Sequence, residues 1–73
     1  MITPEEARTI ASTKAGRYVE GKMLEDDTHW AVATGGDTYD DKVHLIDKET
    51  GDYSVTSVWE VRETGRRFTE PDA

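Results

Sequence analysis

The residues of this sequence that are best suited to acid–base chemistry are two histidines, His29 and His44, because imidazole titrates near neutral pH. Each falls in a segment that we predict to be a strand. If those strands pair, both side chains could share a sheet face, and a carboxylate such as Asp47 could complete a metal or catalytic site. The alternative is that each is a half-buried strand histidine with one hydrogen bond. We favour this second interpretation, since neither has a second histidine at helical ligand spacing.

A second motif with possible chemistry is the segment 16–23, Gly-Arg-Tyr-Val-Glu-Gly-Lys-Met, which matches a phosphate-binding loop except at its end. Met23 stands where that motif needs a Ser or Thr hydroxyl to hold magnesium. The segment also follows a predicted helix, whereas a phosphate cradle needs a strand before it and a helix after it. We therefore expect no nucleotide binding here.

Other catalytic or metal-binding signals are weak. Asp37, Asp40 and Asp41 could supply oxygens for calcium, but the twelve-residue loop with its glycine and terminal glutamate is missing. The serines have no nucleophile-elbow context, and the chain contains no cysteine, which excludes a thiolate nucleophile, a disulfide or a cysteine zinc site. We expect a protein that is not an enzyme and that uses no metal or cofactor.

The elements that would position any site begin with a well-marked helix. Thr3 and Glu6 have the spacing of a capping box, and Pro4 suits the first helical position. An apolar stripe at helical spacing follows, and Gly16 is a natural end. The sequence predicts a helix from Pro4 to Ala15.

Four strands are predicted after the helix, over residues 17–24, 28–34, 42–47 and 53–61, with a tight turn at 47–52. In that turn Gly51 can take positive φ and Asp47 can accept hydrogen bonds from nearby amides. Short connections favour antiparallel pairing. We expect an α+β fold, one N-terminal helix packed on a three- to four-stranded antiparallel meander, forming a single domain over 1–69 with a frayed tail at 70–73.

Alternation along the strands predicts which side chains share a face. Trp30 and Val32 lie on one face, and Trp30 should be a core anchor. On the fourth strand Tyr53, Val55 and Trp59 share a face. These aromatics are exposed binding anchors if the helix covers the opposite face, and core residues if it does not.

The formal net charge of −7 is concentrated in one part of the chain. Residues 25–52 carry nine acids and two lysines, which accounts for all of it. A duplex-DNA or RNA binder would need the opposite sign, whereas a negative field can steer a basic partner protein. The alternative is that the acidic loops only solubilise a small protein. Pairing of these loops with the basic turn around Arg62, Arg66 and Arg67 could also form a homodimer.

Nothing in the sequence indicates a membrane protein, because no stretch approaches the about 20 apolar residues of a span. The first residues carry neither a basic leader nor an apolar run. We expect a cytoplasmic location.

One family resemblance adds a functional expectation. The helix opening over 4–7, the strand centred on 30–32 and above all the strand-turn-strand over 43–54, Val-His-Leu-Ile-Asp-Lys-Glu-Thr-Gly-Asp-Tyr-Ser, resemble the immunity protein 35 family of small bacterial antidote proteins. The same turn chemistry also resembles PepSY-type domains. The resemblance to the antidote family implies a cytoplasmic protein that binds and neutralises a cognate toxin, with no catalytic residues to carry over.

We therefore predict a small acidic protein-binding module, an immunity-type inhibitor of a basic partner or toxin. The alternative is a phage-encoded acidic antagonist that mimics nucleic acid to block a host defence complex. The predicted partner-binding residues are acidic side chains of the 25–41 region with one aromatic anchor: Glu25, Asp26, Asp27, Asp37, Tyr39, Asp40 and Asp41.

Overall fold

The computed structural model describes residues 1–33 and 42–71. Its elements are α1 Pro4–Ala15, β1 Lys22–Glu25, β2 His29–Ala33, β3 Lys42–Asp47, β4 Tyr53–Ser57 and α2 Val58–Glu63. The strands form one sheet in the order β1-β2-β3-β4, with every neighbouring pair antiparallel. The predicted α+β fold, a helix on an antiparallel meander, is confirmed. Within the two described stretches, no helix is both long enough and apolar enough to cross a membrane.

Helix α1 has the predicted bounds because both of its ends are fixed locally. The Thr3 hydroxyl accepts a hydrogen bond from the Glu6 amide, and the Glu6 carboxylate accepts one from the Thr3 amide, which completes the capping box. At the other end Gly16 adopts a left-handed conformation with φ of 75° and closes the last turn. These interactions need no tertiary contact, which explains why the sequence predicts this element so well.

Helix α1 covers one face of the sheet. Its fully buried Ala7 and Ala11 pack with the buried side chains of this layer, Val19, Trp30, Val32 and Ile46. The small alanine side chains let the helix approach the sheet closely. The Trp30 indole N–H donates to the Ile2 carbonyl at 2.7 Å, so the buried ring has its polar group satisfied. The prediction that Trp30 is a core anchor sharing a face with Val32 is confirmed.

The opposite face of the sheet carries a second apolar layer. Ala31, Val43 and Leu45 are buried there, and the partly buried side chains that pack against them come from β1, α2 and the C-terminal segment: Leu24, Val58, Val61 and Phe68. The sheet is thus covered on both faces, whereas the sequence predicted a helix on one face only.

The second layer includes side chains of α2 because the fourth strand is shorter than predicted. It ends at Ser57, whose hydroxyl accepts a hydrogen bond from the Glu60 amide and starts α2. Val58 and Val61 have helical spacing, so both reach the same apolar layer. The prediction of a strand through residue 61 is therefore wrong, and so is the shared strand face of Tyr53 and Trp59. Tyr53 packs against the α1 layer, while Trp59 lies on α2 with 65% of its surface exposed.

The first strand is also shorter than predicted and begins at Lys22. The Arg8 guanidinium donates to the carbonyls of Val19 at 2.8 Å and Gly21 at 2.9 Å, and the Ser12 hydroxyl accepts from the Val19 amide at 2.9 Å. These contacts attach the chain between α1 and β1 to the helix. Its backbone groups are therefore not used to pair with β2.

Candidate acidic binding surface

Two turns lie at the same end of the sheet, because consecutive antiparallel strands reverse there: the β1–β2 turn at 26–28 and the β3–β4 turn at 48–52. An aspartate shapes each of them. Asp26 accepts hydrogen bonds from the amides of Thr28 at 2.9 Å and His29 at 2.7 Å. Asp47 accepts from two amides of the second turn, at 2.8 and 3.0 Å, as predicted.

The second turn closes with a left-handed glycine. Gly51 has φ of 78°, as the sequence predicted, and a Cβ at this position would lie 2.8 Å from Cδ1 of Ile2. Glycine takes this backbone conformation without strain, and any larger residue would have to displace the end of the Ile2 side chain. The N-terminal residues therefore pack directly against this turn, where the Ile2 amide also donates to the Lys48 carbonyl at 2.9 Å.

Two of the predicted binding residues form ion pairs within the chain. Glu25 accepts from Lys48 Nζ at 3.0 Å, and Asp26 accepts from Arg66 Nε at 2.8 Å. Burial raises the pKa of Asp26, but the hydrogen bonds from Arg66 and from the Thr28 and His29 amides lower it by more. The net result is a pKa of about 2. Asp26 is therefore ionised, and a cation of this chain lies beside each of the two carboxylates.

Four other carboxylates on these turns point to solvent or are only partly covered: Asp27, Asp47, Glu49 and Asp52, which we call the acidic end. Hydrogen bonds from the Thr50 and Glu49 amides lower the pKa of Asp47, so it too is ionised. With Glu25 and Asp26, the side chains at this end of the sheet include six carboxylates. Two cations, Lys48 and Arg66, lie among them, which leaves four net negative charges.

A depression of about 240 Å³ lies between the two turns. Three carboxylate residues of the acidic end line it together with Lys48, two threonines and the first residue: Met1, Asp27, Thr28, Asp47, Lys48, Glu49 and Thr50. Asp27 and Glu49 form no ion pair with any residue among those described. Their carboxylates are therefore available to a positively charged group from another molecule.

The structure divides the predicted binding residues. Asp27 belongs to the acidic end, whereas Glu25 and Asp26 are engaged within the fold. The remaining four predicted residues lie outside the described residues: Asp37, Tyr39, Asp40 and Asp41. The strand ends that flank segment 34–41, Ala33 and Lys42, lie at the other end of the sheet from the acidic end.

Asp47, Glu49 and Asp52 were counted in the acidic region but were not among the predicted binding residues. The signal that could have found them was the meander itself. In an up-and-down sheet, every second turn lies at the same end, so the acids of the first and third turns come together. The ion pair between Asp26 and Arg66 had no such signal, because Arg66 follows the last strand and is 40 positions from Asp26.

The two histidines do not form a common site, because they lie on opposite faces of the sheet. His44 pairs with Val32 in the α1 layer, is 97% buried, and its Nδ1 lies 2.7 Å from the Tyr53 hydroxyl. His29 pairs with Asp47 on the other face, with Nε2 3.9 Å from the carboxylate. The interpretation in which both share a face is wrong. Among residues 1–33 and 42–71, no three His, Cys, Asp or Glu side chains are grouped as a metal site requires.

The segment that resembles a phosphate-binding loop connects two different elements. Gly16 caps the C-terminus of α1, and the segment then runs into β1, so it has a helix before it and a strand after it. A phosphate cradle needs the reverse order and the positive end of a helix dipole.

Comparisons of this chain with protein-family models, with curated proteins and with solved structures found no match.

Proposed function

We propose that this protein is a small acidic protein-binding module that inhibits a basic partner, in the manner of an immunity protein that neutralises a toxin. The observation that carries the proposal is the depression at the acidic end, lined by Asp27, Asp47 and Glu49. A concave surface with several carboxylates fits a lysine or arginine side chain of a partner better than a flat one does, because it can surround the cation with acceptors.

The turns that hold these carboxylates are fixed by the fold. The side chains of Asp26 and Asp47 fasten them from within, and the Lys48 ammonium adds a bond of 2.7 Å to the Asp26 carbonyl across the two turns. A surface that is ordered before binding loses little conformational entropy when the partner arrives. The four net negative charges would also accelerate the encounter with a basic partner at low salt.

A binding role is also more consistent with the histidines than a catalytic one. His29 and His44 point to opposite faces, and His44 is enclosed beneath α1 with Tyr53. We therefore include in the proposal that the protein is not an enzyme. The immunity-type assignment rests on the resemblance of residues 4–61 and on the acidic character of the turns, and a cytoplasmic location belongs with it.

The test begins with capture of the partner from the source cell and its identification by mass spectrometry. Association rates are then measured by stopped flow for the triple variant Asp27→Asn, Glu49→Gln, Asp52→Asn. We expect the rate at low salt to fall by about tenfold, because electrostatic steering contributes on this scale. The matched control removes three exposed acids elsewhere: Glu5→Gln, Glu20→Gln and Glu63→Gln.

Equal losses in the two triple variants would refute the role of the acidic end, since both change the net charge by the same amount. A third variant, with Asp37, Asp40 and Asp41 changed to Asn, tests the other predicted acids. Competition between this protein and a polynucleotide for the captured partner would instead support the nucleic-acid mimic.

A further inference from the structure

The C-terminal segment, residues 64–71, follows α2 and returns to the outer edge of β1. The Glu25 amide donates to the Thr69 carbonyl at 2.7 Å, and the Thr69 amide donates to the Glu25 carbonyl at 2.8 Å. Phe68 packs against the apolar layer on the α2 side of the sheet. The Arg66 guanidinium adds two polar contacts to the same side of the molecule.

The two polar contacts of Arg66 go to different acceptors. Its Nε donates to Oδ2 of Asp26 at 2.8 Å, and its Nη2 lies 2.8 Å from Nδ1 of His29. A guanidinium has only donors and stays protonated in proteins. Nδ1 must therefore supply the lone pair for this hydrogen bond, so the imidazole is neutral and carries its proton on Nε2. The contact with Arg66 thus selects one protonation state of His29.

Protonation of His29 would remove this contact. The added proton would lie on Nδ1, so that two donors and two positive charges would face each other across 2.8 Å. The Thr28 hydroxyl lies 2.7 Å from Nδ1 and can accept the new N–H, while it donates to Oδ1 of Asp26 at 3.3 Å. The imidazolium therefore has a replacement acceptor, whereas Nη2 of Arg66 loses its own.

The charged groups that face the imidazole determine the direction of the effect. Asp26 lies beside it on the β1–β2 turn, and Oδ2 of Asp47 on β3 lies 3.9 Å from Nε2. These two carboxylates attract a proton to the imidazole, and the Arg66 guanidinium repels it. When Nη2 turns away, the carboxylates remain. The imidazole therefore binds a proton more tightly when the Arg66 contact is broken.

The other charged groups near this turn face elsewhere. Lys48 and Glu25 form their ion pair beside the Trp30 ring, on the α1 face of the sheet. Within residues 1–33 and 42–71, His29 has no ion pair or hydrogen bond with a charged side chain of α2. Protonation of the imidazole thus acts mainly on the contact with Arg66.

We propose that His29 is a pH-sensitive switch for the attachment of the C-terminal segment. The neutral imidazole accepts from Arg66 and helps to hold the segment on the sheet. The imidazolium releases Nη2, but the Nε bond to Asp26 remains, so the segment is loosened and not freed. Because the loosened state binds more protons, attachment is strongest above the pH range in which histidine titrates and weakens as the pH falls through it.

The position of the imidazole suits this role. In His29, 25% of the side-chain surface is exposed, so the ring can exchange protons with solvent while the protein stays folded. Two neighbours of Arg66 on the segment would be loosened with it. The Phe68 ring centre lies 5.0 Å from the guanidinium, and Thr69 pairs with Glu25. The switch would therefore control access to the apolar layer on the α2 side and to the outer edge of β1.

Hydrogen exchange of the Glu25 and Thr69 amides tests the proposal, measured by NMR at about pH 8 and about pH 5.5. Each rate is divided by that of an unstructured peptide at the same pH, which gives a protection factor. We expect both protection factors to fall about fivefold at the lower pH, because one hydrogen bond of the segment is lost. The amides of β3 are the internal reference and should keep their protection.

Three variants separate the switch from other effects of acid. His29→Gln retains an oxygen that can accept from Arg66 but does not titrate, so its protection factors should be equal at the two pH values. Arg66→Gln removes the guanidinium, and it should lower the protection at pH 8 and abolish the pH response. The matched control Arg67→Gln removes the same charge from an exposed neighbour, and it should retain the fivefold response.

Equal protection at the two pH values in the wild type would overturn the proposal. A fivefold loss that persists in His29→Gln would do the same, because another group, such as His44, would then be responsible. Loss of the response in Arg67→Gln would also contradict the assignment to Arg66. None of these measurements uses the captured partner, so they can fail while the proposed inhibitor function stands.

Discussion

The two faces of the sheet are covered by helices that are stabilised in different ways. Helix α1 has twelve residues, a capping box, a left-handed glycine at its end and two fully buried alanines. Helix α2 has six residues and no buried residue, and its last residue is followed by Thr64 in a right-handed conformation. A helix this short is not stable by itself. The comparison teaches that local interactions define α1, while α2 depends on the sheet beneath it.

The layer under α2 is also less completely filled by the described residues. A groove of about 280 Å³ remains between the helix and the sheet, and it is lined mainly by aliphatic side chains and Phe68. Long-range contacts close this side of the molecule: Arg66 reaches Asp26, its guanidinium lies 5.0 Å from the Phe68 ring centre, and Thr69 pairs with Glu25. We therefore expect the α2 side to contribute less to the free energy of unfolding than the α1 side.

Neighbouring residues of β3 provide the strongest test of this difference, because Ile46 faces α1 and Leu45 faces α2. Ile46 is fully buried, and Ile46→Ala should lower the free energy of unfolding by about 4 kcal/mol. Leu45→Ala should cost about 2 to 3 kcal/mol, since the layer around it can relax into the groove. Urea unfolding monitored by tryptophan fluorescence measures both values. A larger loss for Leu45→Ala would reverse the proposed ranking of the two faces.

The same contrast explains how much of the fold could be predicted from the sequence. The bounds of α1 and β3 follow from local signals, namely the caps, the glycines and the alternation of apolar residues. Trp59, Glu60 and Val61 also alternate in a way that fits a strand, and β-branched valines favour one. This segment forms α2 because Val58 and Val61 then pack into the apolar layer on the sheet, and that layer exists only after the sheet has formed.

The candidate site was predictable to a similar extent. The sequence located the acidic region, because charge is counted without knowing the fold. It could not separate Asp27, which is open to a partner, from Glu25 and Asp26, whose cations come from distant parts of the chain. Burial and pairing of a carboxylate depend on the tertiary structure.

The attachment of the C-terminal segment should depend on pH through Asp26. Its pKa of about 2 in the folded protein lies below the ordinary value of 3.8, so its contribution to stability is complete above about pH 4 and is lost as the pH falls toward 2. Asp26→Asn keeps an oxygen for the turn but removes the charge that faces Arg66. We expect it to lower the free energy of unfolding by about 1 to 2 kcal/mol at pH 7, because hydrogen bonds to charged groups are worth about this much.

The difference between the wild type and Asp26→Asn should then shrink between pH 4 and pH 2, as shown by urea unfolding at each pH. Asp27→Asn is the control, because Asp27 is exposed and forms no ion pair with any of the described residues. It should change stability by less than about 0.5 kcal/mol. A pH-independent deficit in Asp26→Asn would mean that shape, rather than charge, makes this side chain important.

The smallest expected effects are those of substitutions at the caps of the two helices. They test whether local interactions stabilise α1 while the sheet stabilises α2. Thr3→Ala removes a bond that helps to start α1, and it should cost about 1 kcal/mol. Ser57→Ala removes the matching bond to the Glu60 amide, but the valines of α2 still hold the helix to the sheet. We expect a loss of about 0.5 kcal/mol there. Hydrogen exchange distinguishes the two variants further. Thr3→Ala should accelerate exchange of the amides of α1 alone. Ser57→Ala weakens α2, and it should also accelerate exchange of the Glu25 and Thr69 amides, because the C-terminal segment packs on the same layer.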